Sequence, residues 1–189
     1  MVEPVVSETV WYKEIFEGFQ NIVHQVLGEK YPVLVRKPEE DFKIEKYPSV
    51  VLQITTSQFN VDRYYKHETY ISEKDKENFV GYEENTPLTY DINLQMDFYA
   101  EKATELDEMT IKWLSFFRRD FNLKVKTRGG KPDDVHVMPE GGAKRMDEVS
   151  GADRLFRNCF NYKVYGRLFE RDRIEVPLVR KIVVSTKII

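Results

Sequence analysis

The sequence predicts an α+β domain, a single mixed or antiparallel sheet flanked by two amphipathic helices, and three observations carry that prediction. The first is Leu88 to Tyr99, LTYDINLQMDFY, where Leu88, Tyr90, Ile92, Leu94, Met96 and Phe98 alternate with Thr89, Asp91, Asn93, Gln95 and Asp97. Side chains alternate across a strand, so this is a β-strand with one apolar and one polar face. The second is Ser7 to Leu27, where Trp11, Ile15, Phe19, Ile22 and Val26 recur at helical spacing and Phe16, Val23 and Leu27 widen the stripe. The third is a second amphipathic helix that follows the alternating strand at once, which places a helix on the apolar face of the sheet.

Composition sets the bounds. The chain has 189 residues, 41% of them hydrophobic and 13% aromatic, enough for one domain with a substantial core. Lys plus Arg number 29 against 32 Asp plus Glu, so no global field favours nucleic acid or an anionic membrane. A single cysteine, Cys159, excludes an intrachain disulfide and a cysteine-cluster zinc site, and its apolar neighbours read as those of a small buried residue. Neither an export signal nor a stretch long enough to span a membrane is present, which points to a reducing cytosol.

In chain order, Pro4 keeps the start extended, Ser7 is the expected N-cap of the first helix, and Gly28 stops it. Each large side chain that this helix buries contributes roughly 1.5 to 3 kcal/mol, so Phe19 and Ile22 are expected to matter most. Tyr31 to Arg36 reads as a short strand with Pro32 at its start or on an edge. Ser49 to Thr55 (SVVLQIT) suits a central strand covered on both faces. From Gln58 to Thr86 the pattern becomes Tyr-rich and charged. A structureless stretch of that length is unusual in a compact domain, so residues 58–86 are expected to form a projecting β-hairpin arm.

Beyond the alternating strand, Thr104 with Asp107 three residues on is expected to cap the second helix. Leu106, Met109, Trp113, Phe116 and Phe117 form its stripe, Arg118 and Arg119 its last turn, and Phe121 its end. A short strand over Leu123 to Lys126, a turn at TRGGKPDD, a strand at Val135 to Met138 and a flexible exposed loop over 139–153 follow. Arg157 to Glu170 and Arg173 to Ser185 read as two strands joined by a tight turn. Gly166 interrupts the first as a bulge or close contact would, and Pro177 argues for an edge position in the second. The whole reads as one domain over 1–189.

Candidate chemistry is sparse. His24, His67 and His136 lie in unrelated contexts without metal-ligand spacing. Gly129, Gly130 and Lys131 lack the first glycine and the hydroxyl residue of a phosphate loop and read as a turn. No serine lies in a nucleophile elbow. Asp91 and Asp97 could in principle hold Mg²⁺ as in a nuclease, but no partner lysine accompanies them, and solvated or interface carboxylates explain them more simply. Basic clusters, from Arg118 to Lys131 and at Arg167, Arg171, Arg173, Arg180 and Lys181, are interspersed with Glu170, Asp172 and Glu175. That suits charge complementarity between subunits better than a phosphate track.

The N-terminal helix, the YPSVVLQIT strand, the PLTYDINLQMDFYAE strand running into TELDEMTIKWLSFF, and the closing FNYKVYGRLFERDRIEVPLVRKI segment together resemble the tail terminator, or tail completion, proteins of tailed bacteriophages and related contractile particles. The resemblance covers about half the chain and is one of architecture more than of residues. It implies a structural virion protein of the tail or neck, assembled in the host cytoplasm. Such a protein forms a hexameric ring on the tail tube, ends its polymerisation and offers a head–tail joining surface. The implied partners are further copies of the chain, the tail tube protein, and the sheath and head–tail connector proteins, with no cofactor, no metal and no catalytic residue. Another neck or baseplate adaptor is the alternative within the same particle, and a metal-dependent nuclease the alternative of a different class. The residues expected at subunit contacts are Tyr64, Tyr65, Tyr70, Phe79 and Tyr82 of the arm with Arg167, Glu170, Arg171 and Arg173 of the closing hairpin. Asp91, Asn93, Gln95 and Asp97 are expected to face the ring lumen or a neighbouring subunit.

Overall fold

In a computed structural model of the chain, the residues described are 9–36, 43–61, 68–70, 80–84, 87–117, 119–150, 153–168 and 174–177. They form α1 (Tyr12–Leu27), β1 (Val33–Val35), β2 (Ser49–Phe59), β3 (Glu68–Tyr70), β4 (Val80–Glu84) and β5 (Leu88–Ala100). After these come α2 (Ala103–Phe116), β6 (Phe121–Lys126), β7 (Pro132–Pro139), β8 (Lys144–Arg145), β9 (Glu148–Ser150), β10 (Asp153–Leu168) and β11 (Ile174–Pro177). The main sheet runs β1-β2-β5-β10-β7-β6, with β8 and β9 pairing β10, and a second sheet runs β11-β4-β3. Only β1 with β2 is parallel among the described ladders, so the sheet is mixed.

The alternating strand is β5, and it lies between the two longest neighbours, β2 and β10. Its Ile92, Leu94, Met96 and Phe98 are buried with Phe160, Tyr162 and Val164 of β10. Both helices close this same apolar body. From α1 come Ile15, Phe19, Val23 and Leu27, and from α2 Leu106, Met109 and Trp113. The indole N–H of Trp113 donates to the Tyr162 hydroxyl at 2.6 Å, so the largest buried side chain leaves no polar atom unsatisfied. Asn158 of β10, also buried, donates through Nδ2 to Thr110 Oγ1 of α2 at 2.7 Å.

Several local expectations are corrected. α1 starts at Tyr12, not Ser7, because Val10 pairs with Arg167 in an antiparallel bridge and is committed to extended backbone. The N-terminal signal is instead the Glu14 carboxylate, which accepts from the Trp11 backbone N–H at 3.0 Å. The buried stripe of α1 runs through Val23, and Ile22 is only half-buried. In α2 the N-cap is Lys102 with no side-chain bond, Thr104 lies inside the helix, and the helix stops at Phe116. Phe121 already opens β6, so Arg119 lies beyond the last turn of α2, and Phe116 is exposed where burial was expected. The 139–153 segment, expected as loop, carries β8 and β9 on the edge of β10.

β11 pairs with β4 in the small sheet, and among the described residues it makes no ladder with β10. Gly166 keeps register with Tyr90, which excludes a bulge there. A Cβ on it would meet Ile92 Cδ1 at 2.5 Å, so close approach is the reason for glycine. The bulge lies instead in β2, between Ile54 and Thr56. β3 and β4 pair with Tyr70 opposite Tyr82.

Candidate functional site

The helix-free face of β5 is a row of lateral ties. Near its C-terminal end, Asp97 is 3% exposed and accepts from Gln95 Nε2 at 2.8 Å and Arg157 Nη2 at 2.9 Å. The Arg157 guanidinium also lies over the Tyr99 ring, 5.3 Å from its centroid. Cys159 is Asp97's cross-strand partner. Burial first, and the Asp97 carboxylate second, push its thiol up to about 11. It stays a neutral, unreactive thiol near pH 7.

Toward the other end the same face opens. Asp91 accepts twice from Asn60 Nδ2, at 3.1 and 3.0 Å, and lies 3.8 Å from Lys163 Nζ, which also reaches Glu140 at 3.7 Å. Asn93 donates to Thr56 Oγ1 at 2.8 Å. Apart from Gln95 to Asp97 along β5 itself, these ties run sideways, to β2, to Asn60 just beyond it or to β10, so this face links strands and gathers no focus. Asp91 and Asp97 are six residues apart on one strand, about 20 Å, too far to share an ion. Among the described residues no group of three His, Cys, Asp or Glu could hold a metal. His136 stacks on Tyr165 with ring centroids 5.5 Å apart, and its Nδ1 lies 3.3 Å from Asn122 Oδ1, a surface arrangement with no second histidine among the described residues.

The other expected contact residues fall in three places. Tyr64, Tyr65, Phe79, Glu170, Arg171 and Arg173, with His67, lie outside the described residues. Tyr70 and Tyr82 stand opposite each other in the small sheet. Arg167 is engaged inside the chain: its backbone bridges Val10, at 3.0 and 3.1 Å, and its guanidinium pairs with the Asp133 carboxylate. Gly130 has φ +82° and donates its N–H to the Thr127 carbonyl at 2.7 Å, as a β6–β7 turn requires.

One feature had a signal in the sequence that periodicity did not catch. β2 continues to Phe59, and Thr55 to Phe59 are exposed. At its end Phe59 packs edge-on against Tyr90, and Tyr90 against Trp11, which stacks on Tyr12. The uncharged run Gln53 to Phe59, QITTSQF, was the available clue, and it straddled the expected start of the arm.

No protein-family model matches the sequence, and no curated protein does. Among solved structures the fold is shared with a component of contractile machines. That structure is the sheath/tube terminator, in the extended state, of the extracellular contractile injection system PVC, solved by cryo-EM. The match has a TM-score of 0.53 at 11% identity and covers 95% of this chain and 64% of that one. At that identity the likeness is one of fold.

Proposed function

We propose that this chain is a terminator subunit of a contractile tail or tail-like particle, a structural protein with no catalytic task. The observation that carries the reading is the fold shared with a sheath/tube terminator over 95% of the chain. The site geometry supports it, because the polar face of the central strand links strands side by side and assembles no reactive cluster. In this reading copies of the chain close into a ring, sixfold by the family resemblance, that caps the tail tube and ends its growth. The tube protein is the first partner, and sheath and head–tail connector proteins follow. The arm over 58–86 and the Arg167 to Arg173 segment meet neighbouring subunits, and Asp91, Asn93 and Gln95 line the lumen or a subunit contact, whereas Asp97, buried within the chain, stands behind them.

The test is co-assembly with the tube protein of the same particle. Sub-stoichiometric chain added to polymerising tube protein shortens the tubes and is found at one end. Tubes of unchanged length, with the chain left in solution, contradict the reading. A nuclease of the same fold would cleave DNA with Mg²⁺ and lose that cleavage in Asp91→Asn or Asp97→Asn. The 20 Å between these residues, estimated from strand rise, gives that alternative no shared site.

A further inference from the structure

α1 and β6 frame a groove along one side of the molecule. Gly18 lets the helix down onto the strand: a Cβ there would meet Val125 Cγ1 at 2.8 Å and Leu123 Cγ at 3.0 Å, so the floor is preformed. Three adjoining cavities follow it. The first is lined by Lys13, Glu14 and Arg128, the second by Gly18, Lys124 and Lys126, and the third by Ile22, Phe116, Phe117 and Phe121. The ends differ in chemistry. At the third cavity Phe116 is 52% exposed, a large apolar ring held in solvent. At the other end the carboxylates already have cations, Glu14 lying 3.7 Å from Arg128 and Glu17 3.8 Å from Lys13. Between the ends, Lys124 and Lys126 are exposed and add positive charge to the lip. Asp134, opposite Lys124 in register, offsets part of it, while Lys126 stands opposite Pro132.

We infer that this groove takes residues 1–8 of a second copy of the chain. That segment, MVEPVVSE, lies outside the described residues; it carries Val2, Val5 and Val6, the acids Glu3 and Glu8, and no Lys or Arg. Pro4 fixes its own φ and favours an extended form. In extended chain each acid stands two to three residues, about 7–10 Å, from the Val5–Val6 pair. Lys124 stands three residues, about 10 Å, from Phe121. An acid at Lys124 therefore sets the valines on the Phe116 end of the groove. Residues 178–189, LVRKIVVSTKII, are as apolar but carry Arg180, Lys181 and Lys187, which the same lysines repel.

Chain direction selects a second copy over the chain's own segment. Val10 pairs antiparallel with Arg167, so from Val10 back to Thr9 the backbone runs with β10, to where the Thr9 carbonyl accepts from the Arg128 N–H at 3.1 Å. β6 also runs with β10, since both are antiparallel to β7. The groove leads from Arg128 back toward Phe121, against that direction. Residues 1–8 of the same chain would have to reverse at Thr9 to enter it, and those of a neighbouring copy need no such turn. The inference deepens the terminator reading by naming a contact, and rests on it only in requiring more than one copy.

The experiment follows the full chain by light scattering over a concentration series, with circular dichroism as the fold check. Wild type assembles. Lys124→Glu/Lys126→Glu and Glu3→Lys/Glu8→Lys each raise the concentration for half-assembly at least about tenfold with an unchanged spectrum. Lys124→Gln/Lys126→Gln, milder on the strand, shifts it in the same direction. Mixed in equal amounts, the two charge-reversed variants assemble like wild type, because each carries the segment that fits the other's groove. Wild type that stays monomeric, or either folded variant assembling normally, overturns the inference. So does a mixture that assembles no better than its parts, which would give the segment to its own chain or the groove to another ligand. Charge variants that still close into tube-capping rings sink this contact and leave the terminator reading standing. Rescue by mixing, into a form that does not cap tubes, does the reverse.

Discussion

The two faces of β5 are held by different means. On one, Ile92, Leu94, Met96 and Phe98 disappear under α1 and α2, and the strand is fixed by packing. On the other, Asp91, Asn93, Gln95 and Asp97 are tied to β2, β10 or one another, one bond at a time. Packing is cooperative and lateral hydrogen bonds are local. The apolar face therefore specifies the fold, and the polar face can be altered without losing it, which is the freedom that an assembly surface needs.

Four substitutions probe that contrast, taken from the largest expected effect. Trp113→Ala removes the largest fully buried side chain and strands the Tyr162 hydroxyl, so it lowers unfolding free energy by about 3–5 kcal/mol in denaturant titration. Arg157→Ala tests whether the polar face is uniform. It leaves Asp97 buried without its cation and costs about 3 kcal/mol, most of it recovered by adding Asp97→Asn. A cost near zero would show that even the closed half of this face is dispensable. Gly166→Ala sets a methyl group against Ile92 Cδ1 and costs about 1–3 kcal/mol by thermal unfolding, because the Ile92 side chain, fully buried, must shift within a packed core. Asp91→Ala, at the open end, costs about 1 kcal/mol or less, and a larger loss would erase the contrast between the faces.

How much was legible follows the same division. The strand expected at 88–99 and found at 88–100, the Gly28 stop, and the Trp113 stripe were readable because burial imposes a period on the sequence. The ends of both helices were not. α1 starts late because Val10 is held by Arg167, more than 150 residues away, a tertiary pairing without a local signal. α2 ends early because Phe121 belongs to the next strand, and an aromatic fits either element. β11 was expected beside β10 and pairs with β4, since alternation gives a strand its face and not its neighbour. Of the candidate site, Asp91 to Asp97 was found as a face, but their partners Asn60, just past β2, and Arg157 and Lys163 of β10 appear only once register is known.

The most direct test of the central claim is negative-stain imaging of the purified full chain at the concentration where light scattering shows assembly. A terminator subunit gives closed rings of uniform diameter with a central hole, seated at the ends of tubes when the tube protein is present. A monodisperse monomer at every concentration, or open filaments without closure, would contradict it.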